Sequence, residues 1–281
     1  MLNLAAYEDD FIRFSGGEIG LGPKLIADIK KFGETDEVII KHNLVSSDRI
    51  MELLLATEAL QAWSDARILL AIAYLPYARQ DRRMIEGDVL SIKVMANLIN
   101  AQNYYTVSVL DPHSDVGPAL INNCWPEYPD EQITKAIRYF DYNGTTQTGT
   151  EVIIIPDAGA TKRVYGCLER IGDFIPKLPV VQAHKIRDLN DKGKIKGITV
   201  DDFPLQGKKC LIIDDICDGG KTFIELGKIL KERGASSVGL YVTHGIFSKG
   251  IDVVTEVIDT IYTTNSFKSV SHPKVVQFGS F

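Results

Sequence analysis

The sequence predicts an α/β protein of two domains with mainly parallel sheets, and three observations lead there. Short β-branched runs alternate with helical patterns along most of the chain. Continuous apolar runs such as VIII at 152–155 and CLIID at 210–214 suit strands covered on both faces, as in a parallel sheet. A polar stretch, YNGTTQTGT at 142–150, separates two halves of similar rhythm, which places the domains at 1–141 and 142–281.

In the first half, Val38–Lys41, Ile68–Leu75 and Tyr105–Asp111 read as strands. Between them Ser47–Trp63 and Asp88–Gln102 repeat apolar residues at three and four positions, as helices do. Ser46 or Ser47, with Asp48, supplies an N-cap for the first. In the second half the strands are Glu151–Pro156, Val180–Lys185, Lys209–Asp215, Val238–Thr243 and Thr260–Thr263. Helices fall near Ala160–Ile171 and Gly220–Arg233.

The composition narrows the function. With 281 residues, 45% hydrophobic and 24% charged, the chain has ordinary globular make-up. A net charge of −6, with no basic arm, argues against nucleic acid or an anionic membrane as partner. No apolar stretch approaches the ~20 residues of a membrane span. An acidic cluster near the N-terminus does not fit a secretory signal. Cys124, Cys167, Cys210 and Cys217 form no C-x-x-C pair, so a zinc site and a disulfide framework are both disfavoured. A cytoplasmic location is expected.

Ligands of open α/β sheets bind beyond the carboxyl ends of the strands. Asp111-Pro-His113, Pro156-Asp157, His184-Lys185 and Asp214-Asp215 all stand at such ends. LIIDDICDGGKT at 211–222 is the strongest local signal: a buried strand delivers two acids, then a glycine turn opens a helix whose N–H groups suit a phosphate. The acids suit ribose hydroxyls or a magnesium ion. A Walker A reading of GGKT fails, because Asp215 stands where its first glycine is required.

This turn resembles the ribose-phosphate loop shared by phosphoribosyltransferases and ribose-phosphate pyrophosphokinases. ELLLATEALQAWSDARILLAIAYLPYARQDRR at 52–83 is similar to the segment entering the ATP site of the pyrophosphokinases alone. DPHSDVG at 111–117, IIPDAGATKR at 154–163, AHKIRD at 183–188, VTHGIFSKG at 242–250 and TTN at 263–265 follow in that family's order.

The resemblance implies two Rossmann-like domains of phosphoribosyltransferase type. It implies transfer of a pyrophosphoryl group from Mg-ATP to the anomeric hydroxyl of ribose 5-phosphate, with release of AMP. By the same resemblance Arg79, Gln80, Asp81, His113 and Glu18 contact ATP, and His113 and Asp157 serve Mg2+. Lys185 and Arg187 form the catalytic pair, ahead of a glycine- and lysine-rich 188–197 segment that would close as a lid. Asp214, Asp215, Asp218, Gly219, Gly220, Lys221 and Thr222 hold the ribose phosphate. The family resemblance also implies a homo-oligomer with ATP sites near subunit contacts.

Three positions depart from the family pattern. Gly16-Gly17-Glu18 replaces Asp-Gly-Glu, Ala160 replaces a glycine, and the phosphate turn carries Gly219 and Lys221 where the family has Asp-Thr-x-Gly-Thr. Two of these lie near the expected acceptor pocket. They leave open a 5′-extended acceptor such as ADP-ribose, whose product could feed NAD synthesis, and Lys221 would follow its added charge. A phosphoribosyltransferase is disfavoured by RQDRR and Lys185-x-Arg187. A non-catalytic homologue is disfavoured by the retention of His113, Lys185 and Arg187.

Overall fold

The computed structural model describes residues 1–32, 34–140, 149–187 and 195–279. Two compact units divide between Glu127 and Tyr128. That point precedes the polar 142–150 stretch, of which 142–148 lie outside the described residues. The reason is a helix at Asp130–Tyr139, whose Ile133, Ala136 and Ile137 pack with Phe140 into the core of the second unit.

The first unit contains β1 (Leu2–Asn3), β2 (Phe11–Arg13), β3 (Ile19–Leu21), α1 (Pro23–Phe32), β4 (Glu37–His42), α2 (Ser47–Trp63), β5 (Arg67–Ile72), α3 (Ser91–Asn100), β6 (Thr106–Leu110), α4 (Val116–Leu120) and β7 (Cys124–Glu127). Its main sheet runs β1-β4-β5-β6-β7, parallel throughout. Val38, Ile40, Leu70, Ile72, Val107 and Val109 form its buried core with Leu53, Ala56 and Leu60 of α2. Ser46 caps α2, its Oγ accepting from the Arg49 N–H at 3.3 Å. β2 and β3 form a separate antiparallel hairpin.

The second unit contains α5 (Asp130–Tyr139), β8 (Val152–Ile155), α6 (Thr161–Ile171), β9 (Val180–Arg187), β10 (Ile195–Val200), β11 (Lys209–Cys217), α7 (Lys221–Glu232), β12 (Ser237–Gly245), α8 (Asp252–Thr255), β13 (Thr260–Thr264) and β14 (Val275–Phe278). The sheet order is β10-β9-β8-β11-β12-β13-β14, with only the β10–β9 pair antiparallel. Side chains alternate between its faces. Val152, Ile154, Cys210, Ile212, Val238 and Leu240 meet α7, while Ile153, Ile155, Leu211, Ile213 and Tyr241 meet α5 and α6. The continuous apolar runs therefore reflect two covered faces, as a parallel sheet requires.

A buried charge cluster fixes the hairpin of the first unit. Glu52 of α2 is fully buried, and its Oε1 accepts from Arg13 at 3.0 Å while Oε2 accepts from Arg49 at 3.0 Å. Arg13 also reaches Asp48 at 2.5 Å, and Arg49 reaches Glu8 at 2.6 Å. Buried His42 places Nε2 3.2 Å from Glu52. Burial pushes the Glu52 carboxyl up, but His42 and the Arg49 guanidinium outweigh it and hold the group below the usual carboxylate range. Burial pushes His42 down.

Glu52→Ala would leave two guanidinium groups without their shared carboxylate. Because Arg13 and Arg49 keep Asp48 and Glu8, we expect a loss of about 1–3 kcal/mol in urea unfolding at neutral pH, and a loss under ~1 kcal/mol would show that the cluster is dispensable. The wild type should also weaken on acidification. The unfolded chain takes up a proton near pH ~6.5 that buried His42 resists, and stability from ionised Glu52 is lost as pH falls through its lowered pKa.

Candidate active site

In the first unit the expected ATP residues other than Glu18 follow adjacent parallel strands at the carboxyl end of the sheet. β5 and β6 pair with Ile72 opposite Val109, so the loops after them leave the same carboxyl end. Arg79, Gln80 and Asp81 lie on the first loop, with Arg79 and Gln80 exposed. The Gln80 N–H donates to Tyr77 at 3.0 Å, and Arg82 Nε stands 3.6 Å from Asp81. His113 is exposed on the second loop, two residues after buried Asp111. Glu18 is exposed where β2 turns into β3, a turn closed by Phe14 N–H donating to the Glu18 carbonyl at 2.9 Å.

Backbone strain collects in these motifs. Among the described residues, positive φ outside glycine and asparagine occurs at Tyr77 (62°), Asp111 (42°) and Phe247 (45°). Each lies in a loop that follows a strand's carboxyl end and carries a segment singled out in the sequence. Such conformations cost about 1–3 kcal/mol each and concentrate at functional sites.

In the second unit the neighbouring strands β9, β8 and β11 bring four expected residues to one end. Ile155 of β8 lies opposite Gln182, and Ile154 lies opposite Ile212. Asp157 thus emerges beside Lys185 and Asp214. Lys185 Nζ donates to Asp157 Oδ2 at 2.5 Å, while Asp157 Oδ1 accepts from the Gly159 and Ala160 amides at 2.9 and 3.2 Å. Burial pushes the Asp157 carboxyl up, but Lys185 and those amides prevail and hold it below the usual range. The Asp214 carboxyl is pushed well above that range, by desolvation first and then by Asp215 and Asp157. The Asp215 N–H donates to Asp214 Oδ1 at 3.0 Å.

Arg163, near the start of α6, was not picked out by sequence reasoning. Its Nη2 stands 3.5 Å from Asp215 Oδ2, so one acid of the pair has a fixed counter-charge. Its position in IIPDAGATKR was the available signal, but only the fold aims it at β11. Arg187 ends β9, and its side chain, like the 188–194 part of the expected lid, lies outside the described residues. Residues 195–197, assigned to that lid, instead start β10.

Beyond β11 the chain enters the 218–222 turn. Gly220 has φ +75° and caps α7, with the Ile224 N–H donating to its carbonyl at 3.0 Å. The turn is tied to the loop after β12: the Cys217 carbonyl accepts from Ile246 and Phe247, and the Asp218 carbonyl accepts from Ser248. Lys221 is exposed and stands 3.6 Å from Glu225. Burial pushes the Cys217 thiol up to about 12, so it stays protonated beside the acids. Asn265, of the TTN segment, forms a bridge with buried His244.

Comparison with known proteins decides the family. A profile described as the N-terminal domain of ribose phosphate pyrophosphokinase matches residues 11–102, and a phosphoribosyl transferase domain profile matches 136–271. A ribose-phosphate pyrophosphokinase from Cereibacter sphaeroides is 32% identical over 240 residues, which cover 84% of this chain and 68% of that protein. The chain belongs to the ribose-phosphate pyrophosphokinase family. Another pyrophosphokinase, from Helicobacter hepaticus, is 28% identical over 98% of this chain and 84% of its own length. Phosphoribosylpyrophosphate synthetase from Mycobacterium smegmatis shares the fold, with a TM-score of 0.75 at 22% identity over 96% of this chain and 85% of that one. The two profile matches fall one in each compact unit.

The turn is the most sharply testable part of this geometry. A Cβ at Gly220 would fall 2.5 Å from Val254 Cγ2, in a left-handed backbone. Gly220→Ala should therefore cost about 1–2 kcal/mol from the backbone and about 1–3 kcal/mol from overpacking. An unchanged urea midpoint would show that the turn does not depend on this glycine.

Proposed function

We propose that the chain transfers the diphosphoryl group of ATP to the anomeric hydroxyl of ribose 5-phosphate, releasing AMP. The observation that carries this reading is the Lys185–Asp157 pair beside Asp214-Asp215, in a chain whose relatives are named ribose-phosphate pyrophosphokinases. Those names favour ribose 5-phosphate over a 5′-extended ribose such as ADP-ribose.

Arg79, Gln80 and Asp81 hold ATP in this reading, with His113 toward its phosphates. An Arg fork matches phosphate oxygens. Asp214 and Asp215 accept from ribose hydroxyls, and the N–H groups at the start of α7 take the 5′-phosphate with Asp218, Gly219, Gly220, Lys221 and Thr222 around it. The anomeric oxygen attacks the β-phosphorus in line; as the new P–O bond forms, its proton passes to solvent, the bond from the β-phosphorus to the α–β bridging oxygen breaks, and that oxygen leaves with AMP. Lys185 and Arg187 offset the charge that develops on the transferring oxygens.

The donor set fits Mg2+. Asp157, Asp214 and Asp215 are hard oxygen donors crowded enough to raise the Asp214 carboxyl, and Lys185 Nζ already places a cation 2.5 Å from Asp157. Asp157 would serve as a ligand of the magnesium ion, and His113 would reach a magnesium ion bound to ATP. When bound, the ion neutralises phosphate charge.

The exposed Glu18 turn suits a contact with ATP held by a second copy, so we assign a homo-oligomer. Four free cysteines suit the reducing cytoplasm. Among the described residues no helix is long and apolar enough to cross a membrane.

The test is acceptor-dependent conversion of ATP to AMP, followed by chromatography with ribose 5-phosphate and ADP-ribose side by side. We expect AMP with ribose 5-phosphate, abolished by a magnesium chelator. Lys185→Ala should lower kcat about 100- to 1,000-fold, or about 2.7–4 kcal/mol, and largely spare ATP binding. Near-normal turnover of that variant would remove the lysine from catalysis. A tenfold or greater kcat/KM preference for ADP-ribose, about 1.4 kcal/mol, would change the acceptor.

A further inference from the structure

The 218–222 turn has two lysines near it, and the structure treats them differently. Lys221, the one in the turn itself, is turned along the outside of α7 toward Glu225, 3.6 Å away. Lys249 comes from the loop after β12 and lies over the turn. A Cβ built on Gly219 would fall 3.5 Å from both Cδ and Cε of Lys249, so the lysine stem crosses the glycine's open face. Among the described residues Lys249 makes no ion pair, and it is exposed.

The two loops are held in this relation by backbone bonds. Ile246 and Phe247 donate to the Cys217 carbonyl at 2.9 and 3.0 Å, and Ser248 donates to the Asp218 carbonyl at 3.2 Å. These bonds continue the β11–β12 pairing, which runs to Cys217 opposite Gly245. Phe247 adopts φ +45° to make the bend and is itself buried. Lys249 is thus delivered to Gly219 by a strained, hydrogen-bonded loop.

The absence of a side chain at 219 has a consequence for charge. A Cβ at 219 would meet the lysine stem at van der Waals distance, so a longer side chain there would compete with the stem for that face. Glycine here admits a long cationic side chain from the neighbouring loop in place of a short polar one from the turn. An ammonium on a flexible stem is a point charge suited to a phosphate monoester.

We propose that Lys249 is a specificity-determining residue that supplies the side-chain cation for the acceptor's terminal 5′-phosphate. The proposal rests on the 218–222 turn being the acceptor phosphate turn. Lys249 touches the phosphate end of the acceptor, far along the sugar from the reacting anomeric oxygen, so its effect falls on acceptor binding.

Steady-state kinetics on the full-length enzyme test this, with folding of each variant checked by thermal melting. Lys249→Ala should raise KM for ribose 5-phosphate tenfold or more, with kcat and KM for ATP within about twofold. Lys249→Arg should keep KM for ribose 5-phosphate within about threefold. Gly219→Thr should raise the same KM by displacing the stem, and the double variant should be no worse than Lys249→Ala alone, because both act through one contact. A Lys249→Ala KM for ribose 5-phosphate within twofold of wild type overturns the proposal, as does a fall in kcat at unchanged KM. Failure of the wild type to release AMP with ribose 5-phosphate would instead overturn the functional reading beneath it.

Discussion

The parallel pairing of β9, β8, β11 and β12 is the constraint on which the second unit depends. The amino-terminal parts of β8, β11 and β12 are apolar on both faces because helices cover both. Asp157 follows the end of β8, while Lys185 and the Asp214-Asp215 pair stand in the carboxyl-terminal parts of β9 and β11. Parallel register then brings those ends together, since residues opposite one another on adjacent strands reach the same edge. The chemistry is concentrated at one edge because the core leaves it nowhere else to go.

Charge placement at that edge is uneven. Asp157 is held ionised by an ammonium and two amides, whereas desolvation and the neighbouring Asp215 and Asp157 push the Asp214 carboxyl up. Arg163 stands by Asp215. A site of this kind has more carboxylate than it can neutralise alone, which favours a ligand that brings a cation or hydroxyl donors. A magnesium-bound phosphate and a ribose supply one of each.

Elements with a strong apolar pattern could be read directly from the sequence. The run VIII at 152–155 and the apolar spacing of Ser47–Trp63 each have one physical explanation, and the structure has β8 and α2 there. Short elements without such a run could not. β1, β2, β3 and β7 are two to four residues long and owe their form to pairing, not to local pattern. The helix α5 has a clear apolar stripe but sits ahead of the polar segment that looked like a boundary, so its loyalty to the second core emerges only from packing. Site residues divided in the same way. Strand-end acids announce themselves, while Arg163 and Lys249 are ordinary surface cations until the fold aims them at Asp215 and Gly219.

The central claim is that nucleophilic attack falls on the β-phosphorus of ATP. ATP labelled at that phosphorus, incubated with ribose 5-phosphate and magnesium, tests it most directly by the fate of the label. The account predicts that the label moves to the sugar product while the AMP released carries none. Label recovered in ADP would mean attack at the γ-phosphorus, and would contradict the assignment.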